Sequence, residues 1–288
     1  AALREKGWNP DVLVMTATPI PRTLALTVYG DLDLSVIDEL PPGRRPIKTH
    51  WKWCDQRHNV YGAARKLLQE GRQAFIVCPL IEESEKLQSK AATELAAQLK
   101  AEVFPDYNLA VLHGQMKSAE KDDVMRRFRD GEVHVLVATT VIEVGIDVPN
   151  ASVMLVEDAE RFGLAQLHQL RGRVGRGEHQ SYCVLIADPR TEDGRERLEV
   201  MSRTTNGFEI AEEDLRIRGP GEFYGTRQSG IPSLRIANIL RDVEILEISR
   251  EDAFAMVKAD PNLSSAKYAK LRAEMVKRFE GYELVSVS

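Results

Sequence analysis

The sequence predicts an α/β domain of the doubly wound class, a parallel sheet with helices on both faces, over about residues 46–188. Three observations predict it. Short apolar, β-branched runs alternate with amphipathic stretches. The runs are nearly continuous in apolar residues, as strands buried on both faces require. The polar motifs fall just beyond strand ends, where open parallel sheets hold their ligand-binding loops.

In chain order, strands are predicted over 12–16, 74–78, 109–112, 133–138, 153–156 and 182–186. Helical periodicity covers 60–69, 86–99, 119–129 and 164–171. Ser118 is the expected cap of the third helix, with Glu120, Asp122 and Asp123 well placed against its first-turn dipole. The first thirty residues carry one strand, one helix (21–29) and then a turn-rich stretch, Glu39 to Pro46. A lone βα unit cannot bury its own faces, so this flank reads as the end of a preceding domain followed by a linker. Beyond Asp188 the chain turns helical and polar around a loop holding Gly219, Pro220, Gly221, Gly225 and Gly230, and helices resume at about 233–257 and 265–280.

Composition narrows the classes. The 288 residues are 43% hydrophobic and 29% charged, which excludes global disorder. A net charge of -5 excludes a histone-like or polybasic binder, though not a local phosphate groove. No apolar run approaches the ~18 residues of a membrane span, and residues 1–20 do not read as a signal peptide. Cys54, Cys78 and Cys183 are isolated, with no zinc-ligand spacing, so no metal site is expected and a reducing cytoplasm fits best. The start Ala1-Ala2-Leu3 fits a piece of a longer chain at least as well as a processed product.

Four segments carry chemistry. In Gln169-Leu-Arg-Gly-Arg-Val-Gly-Arg176, a helical reading puts Gln169, Arg173 and Arg176 on one face, and leaves Gly172 and Gly175 as mid-helix glycines that need a packing reason. A guanidinium fork suits a phosphate whose charge rises during transfer; a solvated basic helix suits the same residues. Ala138-Thr-Thr-Val-Ile-Glu-Val-Gly-Ile-Asp-Val-Pro149 follows a buried strand. Thr139 and Thr140 there can hold phosphate oxygens, and Asp147 can accept from a ribose hydroxyl or orient an arginine, while a plain Gly/Pro turn is the simpler alternative. His113-Gly-Gln-Met116 lies between a strand end and a helix N-terminus, and Thr16-Ala-Thr18 follows the first strand. Either alone also suits a structural role.

Together, in this order and spacing, the four segments resemble motifs III to VI of superfamily 2 helicases and translocases. The tail, Phe208 to Gly230 with Thr226-Arg227-Gln228-Ser229-Gly230, resembles the TRG hairpin of the RecG family and the transcription-repair coupling translocase. With MTATPIPRTLALTVYGDLDLSVIDELPPGR at 15–44, it is most similar to the RecG family. The resemblance implies a RecA-like doubly wound sheet with a TRG-type helical hairpin extension. The expected parts are the tail of a first lobe (1–30), an inter-lobe linker (31–46), a second lobe (47–190), the hairpin and its loop (191–232) and a helical extension (233–288). It further implies an ATP-driven double-stranded DNA translocase that remodels stalled forks and branched junctions.

By the same resemblance Arg173 and Arg176 are arginine fingers, with Gln169 coupling the site and Gly145 and Asp147 near the nucleotide. Thr139, Thr140, His113 and Gly114 face DNA, and Thr16 and Thr18 link hydrolysis to lobe movement. Arg203, Arg218 and Gln228 pass that movement to the duplex. ATP and Mg2+ are expected mainly on the first lobe. The expected partners are branched double-stranded DNA and single-stranded DNA-binding protein, with no membrane, a monomer and a cytoplasmic location.

The dipeptide Gly-Lys does not occur, so the chain has no GxxxxGK[ST] phosphate cradle. Val36-Ile-Asp-Glu39 imitates a Walker B strand but runs into Leu-Pro-Pro-Gly, which is linker chemistry. The 288 residues alone are therefore expected to lack ATPase activity that the longer chain has. The alternatives are a fragment of the coupling translocase or a non-enzymatic nucleic-acid-binding module.

Overall fold

The computed structural model describes residues 44–79, 85–139, 148–218 and 242–278, with positions 13, 15, 35 and 37 singly. Six strands, β1 (Lys48–Lys52), β2 (Gln73–Val77), β3 (Leu109–Leu112), β4 (Val135–Ala138), β5 (Ala151–Val156) and β6 (Tyr182–Ile186), form one sheet in the order β1-β6-β5-β2-β4-β3. All the pairings are parallel. Helices α1 (Arg57–Gln69), α2 (Glu85–Glu102), α3 (Ser118–Arg129) and α4 (Leu164–Arg171) alternate with the strands, and α5 (Glu192–Arg203) and α6 (Gly207–Arg218) follow β6.

The continuous apolar runs are explained by a core on each face. Along β2, Ala74 and Ile76 join Val60 and Leu68 of α1 and Leu99 of α2. Phe75 and Val77 point the other way, to Met125 and Phe128 of α3 and Leu167 of α4. The Phe75 and Phe128 rings lie 4.9 Å apart, and burying each contributes about 1.5–3 kcal/mol. Gln73 is the polar exception at 2% exposure. Its amide donates to Phe128 O at 2.5 Å and Val133 O at 2.8 Å, fixing the corner between α3 and β4.

Three expectations need correction. β1 was not predicted, because Lys-Thr-His-Trp-Lys alternates polar and half-buried residues, the pattern of an edge strand with only β6 as neighbour. Leu13 and Met15, predicted to lie in a strand, belong to no strand and are 81% and 82% exposed; a strand needs a neighbour to satisfy its ladder. The rest of 12–16 and the predicted helix 21–29 lie outside the described residues. Ser118 is the first residue of α3, with Lys117 at the cap, because the Glu120 carboxylate reaches back to accept the Lys117 N–H at 3.0 Å.

The winding reverses between neighbours β2 and β5, since the link after β2 leads toward β3 and that after β5 toward β6. Ligands often enter at such a point. At its C-terminal end Glu157, just past β5, accepts from Tyr61 Oη at 2.5 Å and Arg57 Nε at 2.9 Å. Burial and the Glu157 charge push the Tyr61 hydroxyl far above its ordinary range.

Described residues 37–217 belong to one packed unit, and Arg218 onward to a second. In the second, α7 (Val243–Ala259) and α8 (Ala269–Arg278) are joined through the 3-10 turn Ala266–Tyr268. Residues 233–241 of the predicted first helix lie outside the described residues. Among the described residues no helix is long and apolar enough to cross a membrane.

Candidate functional site

Two glycines decide the path of the arginine segment. α4 ends at Arg171, Gly172 caps it, and Gln169, Arg173 and Arg176 do not share a helical face as expected. Arg173 N–H and Val174 N–H donate back to Leu170 O and Arg171 O in a tight turn, at 3.0 and 3.3 Å. Gly175 then takes φ +80°, a conformation that side chains resist, and a Cβ there would lie 2.8 Å from Ile47 Cγ1. At Gly177 a Cβ would overlap the Pro149 carbonyl oxygen. Gly175 and Gly177 are therefore required by close approach, whereas Gly172, expected within a helix, caps α4 with room for a Cβ. Gln169, Arg173 and Arg176 are half-buried, each with interactions of its own.

This packing sorts the predicted residues onto opposite edges of the sheet. Pro149 closes the Gly145–Asp147 segment just before β5 begins, so the arginine turn abuts the N-terminal edge. His113 and Thr139 lie at the C-terminal edge, beyond β3 and β4, where Thr139 N–H donates to Leu112 O at 3.1 Å. Thr139 is only 2% exposed. His113 is half-buried, its Nδ1 buried with no hydrogen-bond partner among the described residues, and Gly114 is exposed. Thr140, Gly145, Asp147, Thr16, Thr18 and Gln228 lie outside the described residues.

Sequence reading missed Arg171. Leu164, Leu167 and Arg171 follow i, i+3, i+7 spacing, so the arginine falls on the buried stripe, and it is 3% exposed. Its guanidinium donates to Thr204 O at 2.8 Å, Met201 O at 3.2 Å and Thr205 O at 3.4 Å. It also meets His168 Nδ1 at 3.1 Å. Arginine can only donate, so Nδ1 accepts and the imidazole is neutral. Burial first, and then the Arg171 charge, lower the His168 pKa to about 4.

That shift predicts a pH window. The unfolded chain binds the His168 proton below about pH 6.5 and the folded chain only near pH 4, so stability is complete above the window and declines as pH falls through it. At about 1.4 kcal/mol per unit, the loss by pH 4 is roughly 2–3 kcal/mol. Urea midpoints should fall over this range, and the decline should be shallower in His168→Gln.

Within the stretch expected to hold the hairpin and its loop (191–232), α5 and α6 are joined at Thr204–Asn206, and residues 219–232 lie outside the described residues. Thr191 Oγ1 caps α5 by accepting from Gly194 N–H at 3.2 Å, and Asn206 Oδ1 accepts from Phe208 N–H at 2.9 Å. Arg203 pairs with Glu213 at 3.0 Å and Glu209 at 3.4 Å, and Arg216 bridges Glu213 and Glu196. Partial burial raises the Glu213 carboxyl, but hydrogen bonds from Arg216 and Arg203 outweigh it and hold the group below its ordinary range. Arg203 thus clasps the hairpin, and Arg218 is exposed at the end of α6.

Two arginines flank the turn, while among the described residues no group of three His, Cys, Asp or Glu side chains gathers to hold a metal. Cys183 is buried beneath the sheet's helices and its thiol is pushed up to about 12.

The fold is that of a RecA-like helicase lobe of superfamily 2, and residues 59–178 match the helicase conserved C-terminal domain. Residues 204–280 match the C-terminal part of domain 3 of ATP-dependent DNA helicase RecG. The chain belongs to the RecG family and corresponds to the C-terminal part of its members. ATP-dependent DNA helicase RecG of Bacillus subtilis (strain 168) is 52% identical over 96% of this chain and 40% of its own length. That of Synechocystis is 54% identical over 97% of this chain and 34% of its own. A solved structure of RecG bound to a three-way DNA junction matches with TM-score 0.64 and 49% identity, over 80% of this chain and 30% of that one. The chain thus spans less than half the length of the relatives it matches.

Proposed function

We propose that this chain is the C-terminal motor lobe of an ATP-driven double-stranded DNA translocase that remodels stalled forks and Holliday-type junctions. The observation that carries it is the arginine turn: Arg173 and Arg176 held at one sheet edge by Gly175 and Gly177, with the α5–α6 hairpin anchored to the same helix. ATP supplies the free energy of movement and, with Mg2+, is held mainly by another RecA-like lobe that carries the Walker motifs.

In this reading Arg173 and Arg176 stabilise charge on the transferring phosphate, Gln169 couples the site, and Gly145 and Asp147 lie beside the nucleotide. Thr16 and Thr18 link hydrolysis to lobe movement. At the opposite edge His113, Gly114 and Thr140 meet DNA; Thr139, expected to face DNA with them, has its side chain buried at the end of β4. Arg203 stiffens the hairpin, whose end, with Arg218 and Gln228, acts on the duplex. The protein works as a monomer in the cytoplasm, with single-stranded DNA-binding protein as its partner at forks.

Strand separation by the longer chain tests this reading. With ATP it should dissociate a synthetic fork or three-way junction and leave a plain duplex of equal length intact. Equal action on both, or ATP-independent action on the fork, would overturn the substrate assignment.

A further inference from the structure

Burying a guanidinium is costly unless its donors are met and its charge compensated. Among the described residues Arg171 has no carboxylate partner in an ion pair. Its compensation comes from backbone carbonyls at the C-terminal end of α5 and the α5–α6 corner, where helix carbonyls lack intrahelical partners and a cation is favoured. A leucine would continue the apolar stripe of Leu164 and Leu167 without that cost. What arginine adds is a planar fork tying a position two residues before Arg173 to backbone thirty or more residues later. Because the acceptors are carbonyls, the tie holds the path of the corner itself.

We infer that Arg171 is a positioning residue that carries displacement of the Arg173–Arg176 turn to the α5–α6 hairpin. It serves DNA movement per ATP consumed rather than hydrolysis itself. The inference rests on the translocase reading above. His168 completes the arrangement by accepting from the same guanidinium, which fixes its plane.

Two reactions of the full-length protein separate this role from a structural one. Arg171→Lys keeps the charge but loses the fork, and Arg171→Met keeps the volume but loses every donor. Fork-stimulated ATP turnover should stay within about threefold of the unsubstituted protein, while junction strands separated per ATP should fall by about tenfold or more, within the ~5–150-fold usual for coupling between sites. Thermal melting reports whether each variant folds; if Arg171→Met does not, Arg171→Lys decides. An unchanged ratio in a folded Arg171→Lys, with both rates falling together or neither changing, would overturn the inference. A shortfall in folded Arg171→Lys confined to strands per ATP supports it. If the unsubstituted protein itself does not couple ATP to junction separation, the translocase reading fails, whatever Arg171 does.

Discussion

Arg173→Ala or Arg176→Ala in the full-length protein should lower fork-stimulated ATP turnover by about 10³-fold or more, the usual range for an arginine finger being ~10³–10⁵. The size follows from placement. Both arginines leave a turn fixed on one side by the Gly175 approach to Ile47 and on the other by Gly177 against Pro149. A guanidinium held this way needs little reorganisation as phosphate charge develops. Lysine at either position should recover only part of the rate, because a point charge lacks the bidentate fork. Steady-state hydrolysis with saturating fork DNA measures this directly. Losses under tenfold in both alanine variants would remove the arginines from the phosphate.

Gly177→Ala should be the most damaging single methyl in the described lobe. The added carbon meets the Pro149 carbonyl, which is backbone and cannot rotate aside. Relief requires moving either the arginine loop or the end of the segment holding Gly145 and Asp147. Overpacking of this kind costs about 1–3 kcal/mol, and a shift of about 1 Å in a catalytic group can cost ~10²-fold in rate. The expected result is a lowered melting temperature together with a large fall in ATP turnover. Gly172→Ala is the internal comparison, because its Cβ would sit 3.4 Å from Gln169 O, in ordinary contact, at a helical φ of -66°. It should fold and turn over nearly normally. Equal behaviour of the two variants would contradict the packing argument.

Much of the lobe was legible in sequence because parallel strands covered on both faces announce themselves as apolar runs. β3, β6 and α4 coincide with their predicted spans. β1 escaped because Lys-Thr-His-Trp-Lys alternates polar and half-buried residues instead of forming an apolar run, and Trp51 gains its hold through a hydrogen bond to Ala187 O at 3.1 Å, a distant contact. The candidate site was legible as residue types but not as shape. Gly172 marks the helix end at Arg171, as the predicted span 164–171 has it, but nothing local in Gly-Arg-Val-Gly-Arg announces the turn that follows. That outcome depends on Ile47 and Pro149, which lie far away in sequence. Arg171 was hidden in plain view: it reads as one more arginine in a basic motif until its spacing from Leu164 and Leu167 places it on the buried face.

The central claim is that this chain holds one half of a divided ATP site. ATP hydrolysis by the 288-residue chain alone, measured with fork DNA beside the longer chain from the same gene, tests it most directly. The account predicts turnover by the longer chain only. Turnover by the 288 residues at a comparable rate would contradict it, and would require a phosphate cradle within this sequence.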